Sequence, residues 1–183
     1  MADIRVGING FGRIGRATFR QLYEREGVEV VAINDLADAD DLAYLLRYDS
    51  VHGRLEQPIG IEDGNLTIED DRIPVTAVED PAEIPWGDHG VDVVIESTGV
   101  FRAREKAARH LESVRQVLIS APSDDADAHI VYGVNHESID PERHRVVSAT
   151  SCTTNCLVPM VHVLDQAFGV ENGTFTTVHA YTW

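Results

Sequence analysis

At 183 residues the chain can bury one full core and part of a second, and its 43% hydrophobic content marks it as folded rather than disordered. Thirty-one acidic against fifteen basic residues give a formal net charge of −16. That charge repels nucleic acid and anionic membrane and excludes both as partners.

No apolar run reaches bilayer length and no basic-flanked apolar leader opens the chain, so a soluble, cytoplasmic protein is expected. The charge also repels itself, and Lys106 is the single lysine. An acidic, arginine-over-lysine surface suits high salt, where screening weakens the repulsion. Cys152 and Cys156 make neither a disulfide framework nor a complete zinc ligand set, and a reducing compartment fits both.

In chain order, Ile4-Arg5-Val6-Gly7-Ile8-Asn9 alternates into a short strand, and Gly10-Phe11-Gly12-Arg13-Ile14-Gly15 follows at once. Phe11, Ile14, Thr18 and Leu22 recur at helical spacing, predicting a helix to about Glu26. Strand, glycine turn and helix are the setting G-x-G-x-x-G needs. Gly10 permits the tight turn, Gly12 lets a pyrophosphate approach the backbone, and Gly15 packs helix on strand. Val28 to Ile33 reads as the second strand, ending in Asn34-Asp35 about twenty residues past Gly15. Asp35 is then placed to hydrogen-bond the adenosine ribose, and its charge opposes a 2′-phosphate, favouring NAD over NADP. A plain glycine turn with a solvated carboxylate stays open as the alternative.

Asp38 to Tyr48 is expected to be helical with Leu42, Leu45 and Leu46 inward. From Arg54 to Val75 the chain reads as a hairpin excursion around Asp63-Gly64, with no chemistry assigned to it. Val91 to Glu96 is the next buried strand, Glu105 to Leu111 a crossover helix, and Val117 to Ile119 the strand after it. Small polar residues at the carboxyl ends of parallel strands line a dinucleotide crevice, which makes Thr98 and Ser120 candidate cofactor contacts. Ile130 to Tyr132 and Arg145 to Val147 complete the expected strands.

Ser148-Ala-Thr-Ser-Cys-Thr-Thr-Asn-Cys156 then places Cys152 at the first turn of a helix, with Cys152, Cys156, Met160, Val163, Leu164 and Ala167 on one face. Unpaired backbone N–H groups and the dipole favour an anion there, and a thiolate is the reactive form of cysteine. Thr150, Ser151, Thr153 and Thr154 offer caps and oxyanion or phosphate donors. Gly173 to His179 alternates like a strand, and a neutral His179 beside Cys152 could take its proton. A buried structural cysteine and a structural histidine are the bland alternatives. The expected fold is α/β: a Rossmann-type dinucleotide-binding domain with a mainly parallel sheet over residues 1–150, then the start of an α+β catalytic domain over 151–183.

Gly7-Ile-Asn-Gly-Phe-Gly-Arg-Ile-Gly-Arg16, Tyr48-Asp-Ser-Val-His-Gly53, Ser148-Ala-Thr-Ser-Cys-Thr-Thr-Asn155 and His179-Ala-Tyr-Thr182 together closely resemble bacterial-type glyceraldehyde-3-phosphate dehydrogenases. The resemblance implies phosphorylating oxidation of glyceraldehyde 3-phosphate by NAD through a Cys152 thioester released by inorganic phosphate. It implies that His179 activates Cys152, that Ser151 and Thr153 contact phosphate or substrate, and that Thr182 contacts the substrate phosphate. Arg13, Ile14, Asp35 and Ser120 match NAD contacts, Leu36 matches the NAD-using members, and a homotetramer is implied.

Glu79 departs from the family pattern, standing where relatives usually carry an arginine near the adenine. The chain is also about half the family length, and the resemblance places the arginines for the substrate phosphates and an asparagine near the nicotinamide in the other half. The strand holding His179 is therefore expected to have few neighbours. Two other functions stay open: an NAD-binding fragment without turnover, and oxidation of another phosphorylated aldehyde such as erythrose 4-phosphate.

Overall fold

A computed structural model of the chain describes residues 4–180. Strand β1 (Ile4–Asn9) leads into helix α1 (Arg13–Tyr23), and β2 (Val28–Asn34) into α2 (Ala39–Arg47). A small ribbon of β3 (Tyr48–Asp49) and β4 (Gly53–Arg54) follows, then an antiparallel sheet of β5 (Ile59–Glu62), β6 (Asn65–Ile68) and β7 (Asp71–Ile73). The chain returns through β8 (Val75–Thr76), β9 (Val93–Glu96), the single-turn α3 (Arg104–Ala107), β10 (Gln116–Ile119), β11 (Ala128–His129) and β12 (Val146–Ser148). Helix α4 (Cys152–Phe168) comes last.

The main sheet has the order β11-β12-β10-β9-β1-β2-β8, and every neighbouring pair is parallel. Parallel strands covered on both faces must be apolar nearly throughout. Ile8, Ile33, Val94, Val117 and Val146 are accordingly fully buried. One core cluster joins Ile8 and Ile33 to Phe11, Phe19, Leu42 and Leu46 beneath α1, α2 and the small antiparallel sheet. The second joins Val94, Val117 and Val146 to Trp86, Ala107 and Val114.

Several elements differ from the sequence expectation. The hairpin excursion carries a third strand, β7, because Asp71–Ile73 pairs back on β6. The crossover helix is one α-turn followed by a 3-10 segment, Ala108–Glu112. Helix α1 stops at Tyr23, before Gly27 at φ +82, a conformation glycine favours and a helix cannot continue through. Leu45 faces outward beside its buried neighbour Leu46. Residues 130–132 form no strand, since the ladder on β12 is confined to Ala128–His129. Residues 173–179 likewise form no strand: no neighbour is hydrogen-bonded to them as a ladder, and an extended segment without one gains nothing to offset its entropy.

Candidate cofactor and catalytic site

The carboxyl ends of β1, β2 and β9 open into a cavity of about 360 Å³ that includes Gly10, Gly12, Asp35, Leu36, Glu79 and Thr98 in its lining. A larger concavity of about 820 Å³ lies beside Arg5, Tyr23 and Arg72 and collects none of the expected site residues. Ligands of open α/β sheets sit at the carboxyl ends, so the smaller cavity is the relevant one.

The glycine turn is built as its spacing demands. Gly10 has φ +89, and a Cβ on it would lie 2.6 Å from the Thr98 amide nitrogen. A Cβ on Gly15 would run into the Gly10 carbonyl oxygen. A Cβ on Gly12 would meet nothing within 4 Å, so the backbone there is open to a ligand. Gly12 is also the N-cap of α1 and supplies no side-chain cap, which leaves the first amides of the helix for an anion. Asp35 is fixed from below: its Oδ2 accepts from Phe11 N at 2.6 Å and its Oδ1 from Ala37 N at 2.9 Å. Each oxygen keeps lone pairs for a sugar hydroxyl. These features fit a dinucleotide. Arg13 and Ile14 stand exposed on the first turn of α1, Ile14 at 54%.

Ser120, after β10, donates its hydroxyl to the Glu96 carbonyl at 3.1 Å and lies outside the lining of the cavity. Cys152 follows β12, a strand that stands three steps, about 14 Å, from β1 along the same edge. It is the first residue of α4, exposed and free, behind the N-cap Ser151. Ser151 Oγ accepts from Thr154 N at 3.0 Å. Thr150 has φ +63, an outlier for a β-branched residue. Asn155 holds that bend, its Nδ2 lying 2.7 Å from Ala149 O, 3.1 Å from Thr150 Oγ1 and 3.0 Å from Ser151 O.

His179 is exposed, with Nε2 at 2.8 Å from Thr177 Oγ1 and 3.4 Å from Thr153 Oγ1. The imidazole thus touches the neighbour of Cys152, and its hydrogen bonds among the described residues go to those two threonines. Thr182 lies outside the described residues. Among the described residues no cluster of His, Cys, Asp or Glu could hold a metal ion.

Comparison with known proteins agrees with this geometry. Residues 4–104 match the profile of the glyceraldehyde 3-phosphate dehydrogenase NAD binding domain, and residues 151–183 that of the C-terminal domain of the same family. The chain belongs to the glyceraldehyde-3-phosphate dehydrogenase family. It is 52% identical over 180 residues to the glyceraldehyde-3-phosphate dehydrogenase of Geobacillus stearothermophilus, 51% over 180 to enzyme 1 of Bacillus subtilis, and 52% over 183 to that of Pseudomonas aeruginosa. In each case the match takes in 98% of this chain and 54% of the relative, so the chain spans about half the length of the curated relatives it matches. Membership makes NAD the cofactor and the family one of NAD-dependent oxidoreductases. No described helix is long and apolar enough to cross a membrane.

Sequence reasoning missed a row of polar residues at the cavity, of which Asn9 and Asn34 line it. Asn34, Asn9 and Glu96 stand in one register row across β2, β1 and β9. Asn34 donates to Asn9 Oδ1 at 2.8 Å, and Asn9 donates to Glu96 Oε2 at 2.6 Å. The available signal was a polar residue closing each of three apolar strands.

Proposed function

We propose that residues 1–150 form the NAD-binding domain and residues 151–183 open the catalytic domain of an enzyme that oxidises glyceraldehyde 3-phosphate to 1,3-bisphosphoglycerate. The observation that carries this reading is Cys152 at the start of α4, on the same sheet edge as the Gly10–Gly15 turn. The Cys152 thiol gives its proton to His179 as its sulfur attacks the aldehyde carbon, and the oxyanion formed takes that proton back to become the hydroxyl of a hemithioacetal. NAD held at the Gly10–Gly15 turn and by Asp35 would supply the acceptor for the hydride on that carbon. The hydroxyl proton leaves to a base, a role we give to His179, and a thioester remains on Cys152. Inorganic phosphate attacks the thioester carbonyl, the C–S bond breaks, and the acyl phosphate departs as the thiolate returns. Covalent attachment holds the reacting carbon in place and keeps the acyl group activated.

Ser151, Thr153 and Thr182 are assigned to the substrate or its phosphate. Gly10, Gly12, Arg13, Ile14, Gly15, Asp35, Thr98 and Ser120 are assigned to NAD, and the whole protein to a homotetramer in the cytoplasm. The test is absorbance at 340 nm with NAD, aldehyde and phosphate, alongside NAD titration. Cys152→Ser should abolish NADH formation and leave NAD affinity within about twofold. Retained turnover removes the nucleophile assignment. NAD binding without turnover by the unaltered chain favours a binding fragment, which fits its share of the relatives' length.

A further inference from the structure

Behind Thr98 lies a polar network whose other members, Asn9, Glu96, His110 and Trp86, are buried. Glu96 is 2% exposed and His110 0%. Trp86 Nε1 donates to His110 Nδ1 at 3.0 Å. An indole N–H is a donor only, so His110 Nδ1 is unprotonated and the ring carries its hydrogen on Nε2. That nitrogen lies 3.1 Å from Glu96 Oε2 and donates to it. Asn9 Nδ2 donates to the same oxygen at 2.6 Å, the two donors standing 3.5 Å apart. The other oxygen, Oε1, accepts from Thr98 N at 2.9 Å and from Thr98 Oγ1 at 2.5 Å. Four donors converge on Glu96 and no acceptor faces it, which is the environment of a carboxylate rather than a carboxylic acid.

The consequence falls on Thr98. Its one hydroxyl hydrogen is spent on Glu96. One lone pair takes Val100 N at 3.1 Å. What remains for the cavity, whose wall Thr98 forms, is a single acceptor. A pyrophosphate offers only acceptors. Thr98 also packs its backbone against Gly10 within the glycine turn, and the donor-bearing unit next to a pyrophosphate held there is a ribose.

We propose that Glu96 and His110 are positioning residues that fix Thr98 as an acceptor, so that it selects a hydroxyl of the adenosine ribose opposite Asp35. This rests on the cavity being the NAD site. A hydroxyl free to rotate would bind either kind of group. The anchored one distinguishes them, and the buried carboxylate does so without touching the cofactor.

The test uses equilibrium binding of NADH and of its adenosine 2′-deoxy and 3′-deoxy analogues to the unaltered chain, Thr98→Ser, Thr98→Val and Glu96→Gln. The unaltered chain and Thr98→Ser should lose about 3–10-fold more affinity for at least one analogue than Thr98→Val does, the size of one neutral hydrogen bond. Glu96→Gln, whose amide can turn the hydroxyl outward, should resemble Thr98→Val. Nitrogen NMR of the unaltered chain should show His110 as the Nε2–H tautomer, a result that does not depend on whether Glu96→Gln folds. Equal analogue penalties in all four proteins, or His110 carrying hydrogen on Nδ1, overturns the proposal and leaves the cofactor site standing. Failure of the unaltered chain to bind NADH at all overturns both.

Discussion

The sheet portion, residues 4–148, and the helix with its tail, residues 152–180, carry equally clear sequence patterns and meet different ends. In the first, every apolar strand finds cover: Ile8 and Ile33 are buried to the last square ångström. In the second, α4 carries a stripe of Met160, Val163, Leu164 and Phe168 and buries no residue at all, with Phe168 83% exposed. Periodicity specifies which face of an element is apolar, and burial needs a second surface to receive it. The first turn of α4 is tied down by Ser151 and Asn155, while its stripe is left unpacked.

Paired truncations break or sharpen this contrast, and the largest effect is expected in the sheet. Ile33→Ala should cost about 2–5 kcal/mol in urea denaturation. Leu164→Ala removes a side chain of the same volume class and should move stability by less than about 0.5 kcal/mol. A comparable loss at both positions would mean that α4 packs against something in solution.

The seam between β12 and α3 supplies the next effect. Asp127 immediately precedes β11 and accepts from Arg104 Nε at 2.6 Å and from the backbone nitrogens of Arg145 and Val146, at the start of β12, at 2.9 and 2.8 Å. Burial pushes its carboxyl up, but the Arg104 guanidinium and the two amides outweigh that and hold it below the usual carboxylate value. A depressed folded value means stability that is present above the unfolded value of about 3.9 and is lost as pH falls through the folded one. Asp127→Ala should cost about 1–3 kcal/mol at neutral pH. It should also flatten the acid limb of the stability curve below about pH 4, and an unchanged acid limb would contradict this account.

Most of the sheet portion was legible in its residues, because strand, turn and helix there each follow from local rules. The positive φ of Gly10 and the closeness of Gly15 to the Gly10 carbonyl are what the glycine spacing asks for. The Asn34–Asn9–Glu96 row was not legible, since it exists only once three strands separated by dozens of residues share a register. The strand expected at residues 173–179 failed for the converse reason: alternation marks a segment able to pair, and pairing needs a neighbour. Cys152 was legible in the first turn of a helix, while the anchoring of that bend by Asn155 depends on side-chain reach that no spacing rule states.

The smallest effect separates the two regions by charge. Residues 152–180 contain Asp165 and Glu171 as their acidic residues and no lysine or arginine, so −2 of the net −16 resides there and −14 in the rest of the chain. Self-repulsion is therefore a property of the sheet portion, where Arg72, Arg104 and Arg109 are already engaged with carboxylates. Raising KCl from 0.1 M to 1 M shortens the screening length from about 10 Å to about 3 Å, which relaxes repulsion between charges on neighbouring elements and leaves contact pairs largely intact. The melting midpoint should rise by a few degrees. Amide exchange in β1, β2 and β9 should slow while exchange in α4 stays unchanged. A midpoint that falls with KCl would show that the ion pairs outweigh the repulsion, and equal slowing in α4 would show that salt acts through apolar surface instead of charge.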